Sequence, residues 1–201
     1  MTTWTSKHLI ALGLASVLGA CEAMDTGTTL LAGLAPLEDA ALPAVPLTQA
    51  MMMRGGVTLV PPSGYCIDPE SLSHKFALMA RCDNMGAATG GEGAPAGVLT
   101  VSLTRNVLNP ILPTAQEVAT AAGVGPPEDA RQSDNGIVFR TKGVAPSPDL
   151  SPTHWRSIAK VGKFTMGAAL FGPEGRRAVS PEGASLLEEM IKSTTNKMNA
   201  G

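Results

Sequence analysis

His74 and the carboxylates closest to it in the chain, Asp68, Glu70 and Asp83, are the residues best equipped for proton transfer. An imidazole held by a carboxylate is a common general base in hydrolases, and the same side chains offer nitrogen and oxygen donors to a metal ion. The plainer reading is a solvated His in a polar turn. Met51-Met52-Met53 presents soft thioethers that suit Cu(I), or else apolar filling at the point where a leading segment enters a core. Tyr65 and Trp155, in a chain with only 3% aromatic residues, are candidates to line an apolar binding patch on a sheet. Residues 86–97 (GAATGGEGAPAG) are glycine-rich but lack the GK[ST] that places Lys and a hydroxyl on phosphate and Mg²⁺; they contain Pro95 and lead into a strand, so they read as a loop.

Ser133-Asp134-Asn135 and Ser157-Ile158-Ala159-Lys160 are similar to the SDN and SxxK elements of serine β-lactamases and penicillin-binding proteins. Those families place SxxK before SDN and at a helix N-terminus. Here the order is reversed and the SxxK segment falls in a predicted strand, where positions three apart point to opposite faces. Lys160 is therefore badly placed to activate Ser157. There is no GxSxG elbow, Ser63 in PPSGY reads as a turn residue, and His154 reads as a hairpin cap. The expectation is no catalytic residue, no cofactor and no metal site.

The N-terminus carries a different kind of chemistry. Residues 1–8 hold Lys7, residues 9–18 (LIALGLASVL) form a short apolar core, and Leu18-Gly19-Ala20-Cys21 follows. A charged start, an apolar stretch too short to span a bilayer and a small-residue cleavage zone make a secretory signal peptide over residues 1–20. The tetrapeptide resembles the lipobox of bacterial lipoproteins, which are cut just before the Cys. The resemblance implies that Cys21 begins the mature chain, is acylated on sulfur and amine, and tethers the protein to a membrane. One acyl chain binds marginally, whereas two or more hold stably. Glu22 stands where an Asp favours the inner membrane in enterobacterial relatives, so the outer membrane is the favoured address, with the protein facing the periplasm.

With Cys21 acylated, Cys66 and Cys82 remain. In an oxidising compartment a disulfide is the main reading for such a pair; free thiols and a metal pair are the alternatives. The formal charge of −2 and pI near 5.9 supply no cationic field for a nucleic-acid partner. No apolar run reaches the roughly 18 residues of a membrane-spanning helix.

These residues must be positioned by a folded part that the pattern begins at Gly56. Residues 21–55, rich in Ala and broken by Pro36, Pro43 and Pro46, read as the lipid-attached tether, and residues 56–201 as one globular domain. Strands are predicted over 57–60, 65–68, 76–82, 98–104, 136–141, 154–160 and 164–171, the last two forming an antiparallel hairpin. In 98–104, Leu99, Val101 and Leu103 share one face and Thr100, Ser102 and Thr104 the other. Thr114 with Glu117 forms a capping box for a short helix stopped by Gly123. Ser180 and Pro181 open a final helix whose apolar stripe is Leu187, Met190, Ile191 and Thr194.

The sum is an α+β fold, a central antiparallel sheet of about six strands with two covering helices. In layout it is similar to PsbP-type folds. The stretches GYCIDPESL and FALMARC and the closing WRSIAKVGKF hairpin resemble small exported proteins of alphaproteobacteria. Some of those bear the names of a cation-transport ATPase or a dihydroxy-acid dehydratase. This chain has neither a DKTGT phosphorylation loop nor enough thiols for an all-Cys iron–sulfur cluster. Three functional readings follow. The favoured one is a lipid-anchored, non-catalytic binding or scaffolding domain. The others are a periplasmic hydrolase using His74 with Asp68, Glu70 or Asp83, and a structural component that meets an envelope protein partner through its leading segment.

Overall fold

The computed structural model describes residues 45–106 and 111–200; Cys21, the signal peptide and most of the tether lie outside the described residues. Nine strands and two α-helices are formed among these residues: β1 (Ala50–Met52), β2 (Val57–Leu59), β3 (Tyr65–Ile67), β4 (Phe76–Arg81), β5 (Val98–Arg105), α1 (Ala115–Ala121), β6 (Glu128–Ser133), β7 (Gly136–Lys142), β8 (Thr153–Val161), β9 (Phe164–Phe171) and α2 (Pro181–Asn199). The class is α+β. Strands β3 to β9 form one antiparallel sheet in the order β3-β4-β5-β9-β8-β7-β6, and β1 and β2 pair separately. None of the described helices is long and apolar enough to cross a membrane.

Alternation decides which side of the sheet is dry. Leu99, Val101 and Leu103 of β5 lie beside Leu170, Ala168 and Met166 of β9, and these lie beside Trp155, Ser157 and Ala159 of β8, so one face carries a continuous apolar floor. Helix α2 covers it with the predicted stripe: Leu187, Met190, Ile191 and Thr194 are all buried. Burying an aliphatic side chain of this size contributes roughly 1.5–3 kcal/mol, so the stripe is the main source of α2's stability, well beyond helix propensity. Ser180 caps the helix through its hydroxyl, and Pro181 occupies the position where a missing N–H costs nothing. The Thr194 hydroxyl accepts from the Val60 N–H at 3.1 Å, which ties the β1–β2 hairpin to the same helix.

On the opposite face α1 protects only one end, packing Ala115 and Ala119 on Phe139. Its capping box is formed as the sequence implies, Thr114 accepting from Glu117 N–H while Glu117 reaches back to Thr114 N–H.

The structure departs from the sequence reading in three places. The folded part begins before Gly56: Leu47 bridges to Ile67, β1 pairs with β2, and Met52 and Met53 are buried while Met51 faces solvent. The methionines are thus mostly core filling. The main sheet has seven strands, because Glu128–Ser133 adds an edge strand. Every residue of it is exposed, so no alternation announces it. Residues 133–136 make the turn from it into β7. Finally, the expected run 57–60 belongs to a separate two-stranded hairpin rather than to the central sheet.

Candidate functional site

Four chain segments meet at one end of the fold. Turn 53–56 joins β1 to β2, with Arg54 and Gly55 both at positive φ and Gly56 N–H bonded to Met53 O at 3.2 Å, the geometry of a type I′ turn. Met53, also at positive φ, donates its N–H to His74 O at 3.0 Å, fixing the turn against the segment that enters β4. Lys75 O accepts from Leu103 N–H at 2.8 Å, and Asn106 N–H donates to Lys163 O at 3.0 Å, linking β5 to the two-residue Gly162-Lys163 turn of the β8–β9 hairpin. Three main-chain hydrogen bonds therefore hold Arg54, His74, Lys75, Arg105 and Lys163 at fixed stations.

Between them lies a recess of about 370 Å³, lined by Met53, Arg54, Gly56, His74, Lys75, Arg105, Lys163 and Phe164. Its size falls in the range of small-ligand sites. Met53 and Phe164 are buried and form the apolar floor, while the cationic side chains and His74 are exposed around the rim. Gly56 is required here: a Cβ would sit 2.8 Å from Phe164 Cζ and lift the ring out of the floor. Lys163 Nζ stands 5.8 Å from the Phe164 ring centre, a cation–π distance. No carboxylate lines the recess, and none forms an ion pair with Arg54, Lys75, Arg105 or Lys163 among the described residues.

That composition changes what His74 can do. None of the three carboxylates expected beside it lines the recess. Asp68 accepts the Glu70 N–H at 3.0 Å in a local turn, and Glu70 is exposed. Asp83 pairs with Arg81, accepting from Arg81 Nε at 3.0 Å, and this hydrogen bond above all holds its carboxyl below the ordinary carboxylate range. None of the three bonds to His74, and no group of His, Cys, Asp and Glu suited to a metal occurs among the described residues.

The two aromatic candidates serve the core. Trp155 is buried under the start of α2, its indole N–H donating to Ser180 O at 2.7 Å, with Arg131 and Arg140 over its ring at 5.8 and 5.9 Å. Tyr65 is buried with its hydroxyl donating to Pro95 O at 2.8 Å, and burial pushes that hydroxyl well above its usual range. An indole or phenol with its polar tip satisfied internally is a pillar rather than a contact surface. Both therefore leave the list of binding residues.

Cys66 and Cys82 are joined in a disulfide with their Cα atoms 4.8 Å apart, stapling edge strand β3 to the end of β4. Ser157 and Lys160 do project from opposite faces of β8; the Ser157 hydroxyl is buried without a hydrogen-bond partner, and Lys160 is half-exposed on the other side. His154, rather than capping a hairpin, is buried and stacked on Phe171 with ring centres 4.3 Å apart. Its Nε2 accepts from Arg156 Nε at 2.9 Å, which assigns the ring proton to Nδ1, facing Pro152 O at 3.0 Å. Burial, foremost, holds its pKa below the ordinary histidine value.

A second open surface lies where α1 leaves the sheet bare. A shallow groove of about 190 Å³ runs over Thr100, Ser102, Gly167 and Ala169 between Phe76 and Arg156. It is smaller than most ligand sites and mixed in character.

The sequence matches no family model and no curated protein. Among solved structures, a point mutant of the protein Mog1 is similar at 13% identity, with a TM-score of 0.46 over 72% of this chain and 92% of that one. The cyanobacterial PsbP (CyanoP) of Synechocystis sp. PCC 6803 is similar at 12% identity, with a TM-score of 0.37 over 77% of this chain and 94% of that one. Neither likeness identifies a ligand or partner for this chain.

Proposed function

We propose that the chain is a lipid-anchored cell-envelope protein, attached through Cys21 and facing the periplasm, whose α+β domain binds rather than catalyses. The anchor reading rests on Leu18-Gly19-Ala20-Cys21 and on Glu22, which favours the outer membrane. The Cys66–Cys82 disulfide supports an oxidising compartment, since such bonds are rare where glutathione keeps thiols reduced. The observation that carries the binding reading is the surroundings of His74. The imidazole shares an open recess with four formal cations and, among the described residues, has no carboxylate beside it to make it a general base. Cations gathered around an apolar floor favour a ligand of opposite charge.

Intact-mass spectrometry of the chain expressed in a bacterial host tests the anchor. A mature product beginning at Cys21 with added acyl mass, in the membrane fraction, is the expected result. A product retaining residues 1–20 with three titratable thiols, recovered from the cytosol, contradicts it. Photo-crosslinking from position 105 in intact cells, followed by identification of what is captured, tests the binding half. A specific adduct that disappears when Lys163 is replaced by Gln is expected; no adduct at that position contradicts it.

A further inference from the structure

We infer that the recess is a binding site for a phosphate group, carried either by a lipid headgroup or by a small soluble phosphate. The inference rests on the binding reading above and names the class of ligand. Several observations converge on it. The chain as a whole is acidic, at −2, yet Arg54, Lys75, Arg105 and Lys163 meet in one recess with His74 and, among the described residues, no acid. Like charges gathered at one spot repel one another, so the arrangement is unfavourable until an anion enters. Four arginines outside the recess, Arg81, Arg131, Arg140 and Arg177, each have a carboxylate within 4 Å, whereas neither Arg54 nor Arg105 has one among the described residues.

The donor set also discriminates among anions. A guanidinium supplies a planar fork that matches two oxygens of one phosphate, and an ammonium supplies a point charge; a tetrahedral oxyanion offers acceptor oxygens to more of these groups at once than a lone carboxylate does. The backbone stations are preset by the main-chain bonds Met53 to His74, Leu103 to Lys75 and Asn106 to Lys163, so the ordering left for binding is that of the exposed side chains and not of the turns that carry them. The floor of Met53 and Phe164 lowers the local dielectric and strengthens each contact, and gives an attached glycerol or alkyl portion somewhere dry to rest.

Calorimetry with the full chain in uncharged detergent micelles tests this with three probes: inorganic phosphate, glycerol 3-phosphate, and phosphatidylglycerol doped into the micelles. Two triple variants are compared, both checked for folding by circular dichroism. One removes recess cations (Arg54→Asn, Arg105→Gln, Lys163→Gln); the other removes exposed cations elsewhere (Lys142→Gln, Arg176→Gln, Lys192→Gln). Binding that weakens about tenfold or more in the recess variant, and less than about twofold in the other, is the expected result, on the scale of lost charge-assisted hydrogen bonds. Lys163→Gln alone serves if the recess triple fails to fold. Response to the two soluble probes assigns a soluble phosphate ligand; response only to the doped micelles assigns a headgroup. Equal weakening in both triples, or no response to any probe, overturns the phosphate assignment. The binding reading would then stand or fall separately on the crosslink from position 105.

Discussion

Gly183→Ala separates local propensity from packing, and the two predict opposite signs. Gly183 lies in the first turn of α2, where Ala is the better helix former by roughly 1 kcal/mol. The structure leaves no room for the methyl group. A Cβ there would stand 2.0 Å from Ala178 O and 2.5 Å from Trp155 Cδ1. Neither neighbour is a flexible chain end, so the helix start must lift away from Trp155 and the 2.7 Å bond from the indole N–H to Ser180 O is lost with it. Overpacking costs roughly 1–3 kcal/mol and the two unpaired polar groups roughly 1–3 more. Less the propensity gain, the net loss is about 1–5 kcal/mol, or roughly 2–4 °C of Tm for each kcal/mol in a domain of this size. Urea unfolding followed by Trp fluorescence measures it, with Ser185→Ala, an exposed change in the same helix, as the reference. A Gly183→Ala protein as stable as the parent, or more so, would refute the role given to Trp155 as the pillar under α2.

Replacing Cys66 and Cys82 by Ala should cost about 3 kcal/mol through the freed loop of 16 positions; urea midpoints with and without reductant measure it, and midpoints that coincide would contradict the staple. His154 makes stability pH-dependent. The unfolded imidazole takes up a proton near pH 6.5 and the buried one only at lower pH, so the unfolded state binds more protons in between. Its contribution is complete above about pH 6.5 and is lost as pH falls from there toward the folded value; His154→Gln should flatten the urea-midpoint profile between about pH 5 and 7.5. Thr114→Ala should cost about 1 kcal/mol by removing the α1 cap, read from the same unfolding curves. Glu117, whose carboxyl is held low by the Thr114 N–H and hydroxyl, contributes stability above its unfolded pKa that disappears as acid protonates it; in Thr114→Ala that acid-side loss should shrink.

Local signals were the legible ones. The Thr114–Glu117 box, the Ser180-Pro181 start, the alternation of residues 98–104 and the hairpin of 154–160 with 164–171 each announce themselves within a few residues, and the structure has them there. The disulfide was legible by counting thiols. β6 was not, because an edge strand with both faces wet needs no apolar residues and Glu128–Ser133 has only one Ala. β1 was hidden by its neighbours: Pro43 and Pro46 mark a tether, yet the chain joins the fold at Leu47 through a single bridge. Trp155 and Tyr65 drew notice because aromatic residues are scarce, and scarcity is equally a reason to bury them. The recess was illegible because Arg54, Lys75, Arg105 and Lys163 spread over more than a hundred positions. Only the strand order, which sets the ends of β5, β9 and the β1–β2 hairpin side by side, gathers them around His74. A signal did exist: each of these cations sits in a turn or at a strand end, but reading it requires the pairing first.

Amide chemical shifts of the ¹⁵N-labelled chain, followed as inorganic phosphate is added at constant ionic strength, test most directly whether this recess is the working surface of the domain. The account predicts saturable shifts concentrated at Met53–Gly56, His74–Lys75, Arg105–Asn106 and Gly162–Phe164, with Trp155 and Tyr65 unmoved. Shifts scattered over the surface, or centred on the groove at Thr100 and Gly167, would contradict it.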